Sequence, residues 1–287
     1  MKTASINTGS RKIDQAVARA SIRARSLAGT RDYKRFVVVG IARTGSTLLL
    51  SLLNAHRQVL AFGELFRGDG LIGWDTPPFQ ASQDPRLLRL SEEAPLDFLE
   101  RAVFRRWPRE VEAVGFKLFY YHARSGPQAA VWDLIRDDPE IEIIHIKRRN
   151  ILAQYLSLTL AHATNVWATS RPPSDSPAPI RLDPESCIQH FQTVRAYEEE
   201  CDAFFAGRDV QHITYEELVA DKDAVMSRIW TRLGVPAMPV QERTARQRTQ
   251  PLSRAISNYG ELQARFAATQ WAEFCAEGDA VTRDKVA

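Results

Sequence analysis

FVVVGIARTGSTLLLSLL, residues 36–53, decides the fold. Its first four residues are apolar without interruption, the pattern of a short strand buried on both faces. Gly40 closes that run. From Thr47 onward Leu48, Leu49, Leu52 and Leu53 gather on one side of a helix. Between strand and helix lies Gly40-Ile41-Ala42-Arg43-Thr44-Gly45-Ser46-Thr47, with the G-x-x-x-x-G skeleton of a phosphate-binding turn. Glycine lets backbone approach a ligand closely. The unpaired amides at the helix start, with the helix dipole behind them, attract an anion. Ser46 and Thr47 add hydroxyl donors, and Arg43 adds a guanidinium that forks onto phosphate or sulfate oxygens. A nucleotide kinase or ATPase carries lysine immediately after the second glycine; this chain has Ser46 there.

Outward from this stretch, apolar runs at 59–62, 114–119, 141–146 and 210–215 read as four further strands. Helical spacing covers 87–107, 128–137, 151–163, 184–205 and 216–233. Residues 63–85 and the proline-rich 164–184 read as loops, the second a candidate lid. From about Pro251 the pattern is mixed helix and loop. Strands alternating with helices predict a P-loop-like three-layer α/β fold: a central parallel sheet flanked by helices, joined by right-handed crossovers. Such sheets bind ligands beyond the carboxyl ends of their strands.

A second basic turn sits at one of those ends. Residues 141–146 run into Lys147-Arg148-Arg149-Asn150 and then a helix carrying Ser157. Arg149 and Ser157, eight residues apart, suit one phosphate. Two anion sites at one sheet edge suggest a ligand with two separated phosphate-type groups.

The rest of the composition narrows the class. The chain has 287 residues, 44% hydrophobic and 25% charged, with net charge +3, which offers no bulk field for nucleic acid. The three cysteines show no C-x-x-C spacing, and their odd number argues against a disulfide framework and for a reducing compartment, the cytoplasm. No apolar run approaches the roughly 20 residues of a membrane span. Residues 1–34 are basic, acid-poor and lack an apolar segment, so they read as an arm that pairs with a second copy, an acidic substrate or a membrane surface. Residues 35–287 read as one domain.

The two basic turns together resemble those of sulfotransferases that use 3′-phosphoadenosine 5′-phosphosulfate (PAPS). Ala42-Arg43-Thr44-Gly45-Ser46-Thr47-Leu48 is similar to the R-[ST]-G-[ST]-[ST]-L turn of the carbohydrate branch. Arg149 and Ser157 match the Arg and Ser that bind the 3′-phosphate. Phe62-Gly63-Glu64-Leu65-Phe66 resembles a segment of the bacterial Nod-factor and lipopolysaccharide-type enzymes. Ile213-Thr214-Tyr215-Glu216-Glu217-Leu218 resembles the family element whose Tyr lies near the adenine, and 247–259 is similar to that branch's C-terminal part. The resemblance covers roughly residues 35–262 and implies the sulfotransferase fold. Two family features are missing. The K-T-H of cytosolic members is Lys117-Leu118-Phe119, without the histidine base, and their R-K-G-x-x-G is absent, leaving Arg246 and Arg248 as candidates for closing over the nucleotide.

The roles this resemblance implies are as follows. Arg43, Thr44, Gly45, Ser46, Thr47, Arg149, Ser157 and Tyr215 bind PAPS. Arg43 and Lys117 stabilise charge at the transferring sulfuryl group, and no metal is required. Glu64 is the general base for a hydroxyl acceptor, with His122 in reserve; His56, His145 and His162 pack or are solvated. Phe66, Trp74, Tyr120, Tyr121 and Trp167 are divided between core filling and stacking on a sugar. The acceptor is a carbohydrate or glycolipid hydroxyl, or else a small-molecule or lipid hydroxyl or amine. A P-loop kinase and a non-catalytic nucleotide sensor remain as alternatives outside the class.

Overall fold

The computed structural model describes residues 28–74, 83–167, 178–239 and 250–276. Five strands form one sheet: β1 Lys34–Gly40, β2 Val59–Glu64, β3 Ala113–Phe119, β4 Ile141–Lys147 and β5 Val210–Thr214. Their order is β2-β3-β1-β4-β5, and every pairing is parallel. β1 is therefore central, and the loop leaving it opens at the middle of the sheet's carboxyl edge.

The helices are α1 Ser46–Leu53, α2 Pro85–Glu93, α3 Pro95–Phe98, α4 Ala130–Asp137, α5 Ile151–Thr164, α6 Pro184–Phe204, α7 Tyr215–Ala220, α8 Lys222–Leu233, α9 Leu252–Ala255 and α10 Tyr259–Phe266. Side-chain alternation along β1 divides them into two layers. Phe36 and Val38 join Leu49, Leu52 and Leu53 of α1 and Val225, Met226 and Ile229 of α8 in one buried cluster. Val37 and Val39 join Ile135 of α4, Leu152 and Leu156 of α5, and Phe191 and Val194 of α6 in the other. This is the three-layer arrangement the alternation of elements predicts.

Two expected helices are broken. The stretch 87–107 divides at Ala94 (φ −139°, ψ 65°), because Pro95 has no N–H to continue the ladder and disfavours a helical residue before it; a π-helical turn, Leu99–Val103, follows α3. The stretch 216–233 divides at Asp221, whose carboxylate accepts the Ala224 N–H and so starts α8. Tyr215, expected at the end of β5, is the first residue of α7 under a capping box of Thr214 and Glu217. Residues 28–33 lie against the domain, with Thr30 bridged to Trp107 and the Tyr33 hydroxyl donating to the Arg105 carbonyl at 2.8 Å.

Candidate active site

The loop Gly40–Thr47 is shaped by what it packs against. A Cβ at Gly40 would stand 2.7 Å from the Ile146 carbonyl oxygen. Gly45 has φ +83°, and a Cβ there would stand 2.5 Å from Tyr215 Cδ2. Only glycine meets both demands at position 45. Thr44 is buried and its hydroxyl donates to the Ile41 carbonyl at 2.7 Å, so that hydroxyl is used inside the turn. Ser46 is buried as the first residue of α1, and Thr47 is exposed beside it. Gln154 of α5 donates to the Ala42 carbonyl at 2.7 Å, and Arg148 donates to the Arg43 carbonyl at 3.3 Å. The loop's carbonyls are thus drawn back toward β4 and α5. The amides that open α1, which have no partner one turn back in the helix, remain at the sheet edge.

Two guanidinium groups meet here. Arg43, itself in a left-handed conformation (φ 68°), donates through Nε to Ser157 Oγ at 3.0 Å and through Nη1 to the Trp167 carbonyl. Burial lowers its pKa, and the neighbouring Arg148 lowers it further. Arg148 lies over the Tyr215 ring at 4.5 Å, and its buried Nε has no hydrogen-bond partner among the described residues. Like charges packed together, with a buried donor left over, favour an incoming anion. Arg149 stands on the rim. Its side chain is 68% exposed and reaches within 3.9 Å of Glu216, whose carboxylate accepts the N–H groups of Arg149 and Asn150 at 3.0 and 3.2 Å. The structure thus pairs Ser157 with Arg43, while Arg149 extends toward solvent.

Glu64 and Lys117 are brought together by an irregularity in β2. Phe62 pairs with Phe116 and Glu64 with Lys117, so two residues of β2 span one step of β3. Regular alternation would put Glu64 on the face of Leu60 and Phe62, inside the core; one extra residue turns it to the opposite face, that of Lys117. The returning chain pins the bulge, with Gly63 N–H donating to the Trp74 carbonyl and Gly73 N–H to the Glu64 carbonyl, each at 2.9 Å. Lys117 Nζ then lies 2.9 Å from Glu64 Oε1, with the lysine side chain 6% exposed and the glutamate 23%. His122 Nε2 is 3.9 Å from Glu64 Oε2. Burial pushes the His122 pKa down to about 4, so the ring is neutral near pH 7.

A buried strand, a glycine turn that opens a helix, paired guanidinium groups and a carboxylate–ammonium pair therefore share one sheet edge. The model of the Sulfotransferase family matches residues 35–239, which includes all of them. The chain belongs to the sulfotransferase family. It is similar to nodulation protein H of Rhizobium meliloti, 28% identical over 249 residues that cover 83% of this chain and 94% of the relative. Nodulation protein H of Rhizobium tropici is 28% identical over 253 residues, 85% and 94% of the two chains. Among solved structures, a sulfotransferase from Alicyclobacillus acidocaldarius is 18% identical and covers 81% of this chain and 90% of its own, with a TM-score of 0.45. As a sulfotransferase, the protein is a transferase of sulfur-containing groups. Among the described residues no helix is long and apolar enough to cross a membrane.

Within this sulfotransferase the expected aromatics separate. Phe66, Trp74 and Tyr120 are core residues, whereas Tyr121 and Trp167 are each 45% exposed. Sequence reasoning missed Gln154, Arg148 and Glu216, which hold the two basic turns in shape. The only signal for Gln154 was a polar residue between Leu152 and Leu156 on a buried helix face. Arg246, Arg248 and residues 168–177 of the expected lid lie outside the described residues, as do residues 1–27 of the arm. His145 lies on the other side of β4 from the α1 layer, in a network of its own: its Nε2 is 2.6 Å from the Tyr120 hydroxyl and its Nδ1 3.3 Å from Asp202, which also holds Lys147 Nζ at 2.6 Å. His212 lies near enough to complete a potential His–Asp–His metal-ligand set.

Proposed function

We propose that this sulfotransferase moves the sulfuryl group of PAPS to a hydroxyl of a carbohydrate or glycolipid. The observation that carries the reading is the Glu64–Lys117 pair delivered by the β2 bulge to the edge where the β1 loop opens. Arg43, Thr44, Gly45, Ser46 and Thr47 hold the 5′-phosphosulfate. Arg149 swings from the rim onto the 3′-phosphate with Ser157, and Tyr215 backs the loop next to the adenine. The orphaned Arg148 Nε and the crowded guanidinium groups of Arg43 and Arg148 fit such an anionic ligand.

In the transfer, Glu64 takes the proton of the acceptor hydroxyl. The hydroxyl oxygen forms a bond to sulfur as the bond from sulfur to the 5′-phosphate oxygen breaks, and 3′-phosphoadenosine 5′-phosphate departs. Lys117 and Arg43 carry positive charge to the sulfuryl and leaving oxygens, where negative charge grows. Residue roles alone accomplish this, so no metal is assigned. The carbohydrate acceptor rests on the resemblance of Phe62–Phe66 to the Nod-factor and lipopolysaccharide-type branch and on the likeness to nodulation protein H. Tyr121 and Trp167, exposed at this edge, are the platforms for a sugar ring. We place the enzyme in the cytoplasm as one domain from residue 35 behind a basic arm, a placement that suits its free, buried cysteines.

Calorimetric titration with 3′-phosphoadenosine 5′-phosphate in EDTA, with ATP as control, tests the donor. Binding that Arg149→Ala weakens by about 10–100-fold, the value of a charged hydrogen bond, supports it. Binding no tighter than that of ATP overturns it. Transfer of labelled sulfate to a panel of sugars, glycolipids, phenols and amines then tests the acceptor.

A further inference from the structure

Beside the carboxylate assigned as base is a histidine whose ring is held from several directions. His122 follows β3 in a turn closed by its own N–H donating to the Phe119 carbonyl at 2.9 Å. The Phe119 N–H returns to the ring, donating to His122 Nδ1 at 3.3 Å. Trp132 Nε1 donates to the His122 carbonyl at 2.9 Å. The ring is 5% exposed, between the rings of Phe119 (5.2 Å) and Tyr121 (4.9 Å). With Nδ1 accepting a backbone amide, the proton of the neutral ring is on Nε2. That nitrogen faces Glu64 Oε2 at 3.9 Å while Lys117 occupies Oε1 at 2.9 Å.

We propose that His122 is a positioning residue, whose Nε2–H holds the second oxygen of Glu64 so that the carboxylate meets the acceptor hydroxyl in one orientation. The proposal rests on the assignment of Glu64 as base. His122 is not a second base, because its one lone pair is already engaged by the Phe119 amide. Burial keeps the ring neutral well below pH 7, which preserves it as a donor without adding a charge to compete with Lys117. The gap of 3.9 Å is longer than a hydrogen bond, and contacts of this kind shorten when substrate fills the site. Lys117 alone would leave the carboxylate free to turn about its contact with Nζ; a second donor on the other oxygen removes that freedom. A base oriented by a third group is a recurring arrangement in proton transfer.

Two isosteric replacements separate this role from a merely structural one. In His122→Asn the amide oxygen stands near the place of Nδ1, so the turn keeps its acceptor and Glu64 loses its donor. In His122→Gln the amide nitrogen reaches the place of Nε2, so Glu64 keeps a donor and the turn loses its acceptor. Each variant is titrated with 3′-phosphoadenosine 5′-phosphate to establish that the donor site is folded, and kcat and KM are measured beside Glu64→Gln. The expected result is that His122→Asn loses about tenfold in kcat with little change in KM for the donor, as misorientation of a reacting group does, and that His122→Gln recovers most of that loss. Asn more active than Gln would make His122 a buttress of the turn and overturn the proposal. Equal loss in both, or loss in neither, overturns it as well. If Glu64→Gln itself turns over normally, the base assignment falls and the proposal with it. If Glu64→Gln is inactive and His122→Asn is not impaired, the base assignment stands and only the proposal falls.

Discussion

The Lys117–Glu64 pair makes a quantitative prediction about stability that is independent of any acceptor. The ammonium is 6% exposed, lies 2.9 Å from the carboxylate, and has the Phe119 ring 4.9 Å away, so water contributes little to its solvation. Removing one partner of a buried pair costs about 3–5 kcal/mol because the other charge is stranded. Glu64→Gln removes the charge but leaves an amide oxygen that still accepts from Nζ, and Glu64 is 23% exposed. We therefore expect about 2–3 kcal/mol, below the full cost of a broken pair. In a domain of this size that corresponds to a fall in Tm of roughly 4–10 °C. Lys117→Met strands the partly solvated partner and costs about 1–3 kcal/mol. The double variant strands nothing and should be less destabilised than the sum of the two, with a coupling of about 1–3 kcal/mol. Urea and thermal unfolding of the four proteins measure the cycle, and turnover of Glu64→Gln should fall by about 10²–10⁴-fold. Additive single effects, or a cost for Glu64→Gln below about 1 kcal/mol, would refute the claim that the pair is desolvated and mutually dependent.

Three further outcomes follow from the geometry. Gly45→Ala adds a Cβ 2.5 Å from Tyr215 at a φ of +83°, so it should weaken 3′-phosphoadenosine 5′-phosphate binding by at least tenfold and lower stability by about 1–3 kcal/mol, read by calorimetry and thermal unfolding. Deleting Gly63 removes the extra residue and sets Glu64 directly after Phe62, so regular alternation keeps the carboxylate on the face of Lys117; the deletion variant should retain more activity than Glu64→Gln, and a deletion variant as inactive as Glu64→Gln while still folded would contradict this reading of the register. Acid should destabilise the fold before the carboxylates titrate. Burial lowers His122 and His190 to about 4 from the usual 6.5, so the unfolded chain binds protons that the native chain does not. Stability contributed by the neutral rings is complete above pH 6.5 and is lost as pH falls toward 4, each ring adding a slope approaching about 1.4 kcal/mol per pH unit. Denaturant unfolding between pH 7 and 5 checks this, and a flat profile would contradict it.

Much of the scaffold is legible in the chain because its signals are local. The run 36–39, the glycines at 40 and 45 and the leucines after Thr47 specify a strand, a turn and a helix from neighbours alone. Five such strand segments with helices between them leave few arrangements other than a parallel sheet with its loops at one edge. The break at Pro95 was also local, and the periodicity of 87–107 hid it, since apolar spacing continues on both sides of a residue that cannot propagate a helix. The supports of the loop were of another kind. Gln154 reaches Ala42 across 112 residues, and Glu216 reaches Arg149 and Asn150 across 67 and 66, so nothing near either residue in the chain marks its partner.

Glu64 shows most clearly where local reading ends. Its position after an apolar strand was evident, and its role was inferred from resemblance to a family segment. Counting along β2 by twos, however, puts Glu64 with Leu60 and Phe62, on a face filled by Phe116 and other buried side chains, where a carboxylate would be unsolvated and unpaired. A strict strand would have made this glutamate a structural fault. Gly63 is the residue by which β2 falls out of step with β3, and the contacts of Gly63 with Trp74 and of Gly73 with Glu64 hold it there. Those contacts depend on a segment some ten residues further along the chain, itself anchored by Ile72 and Trp74 in the core. The same carboxylate is thus a fault or a partner for Lys117 according to one residue of register, and that register is determined by packing rather than by the alternation of the strand that carries it.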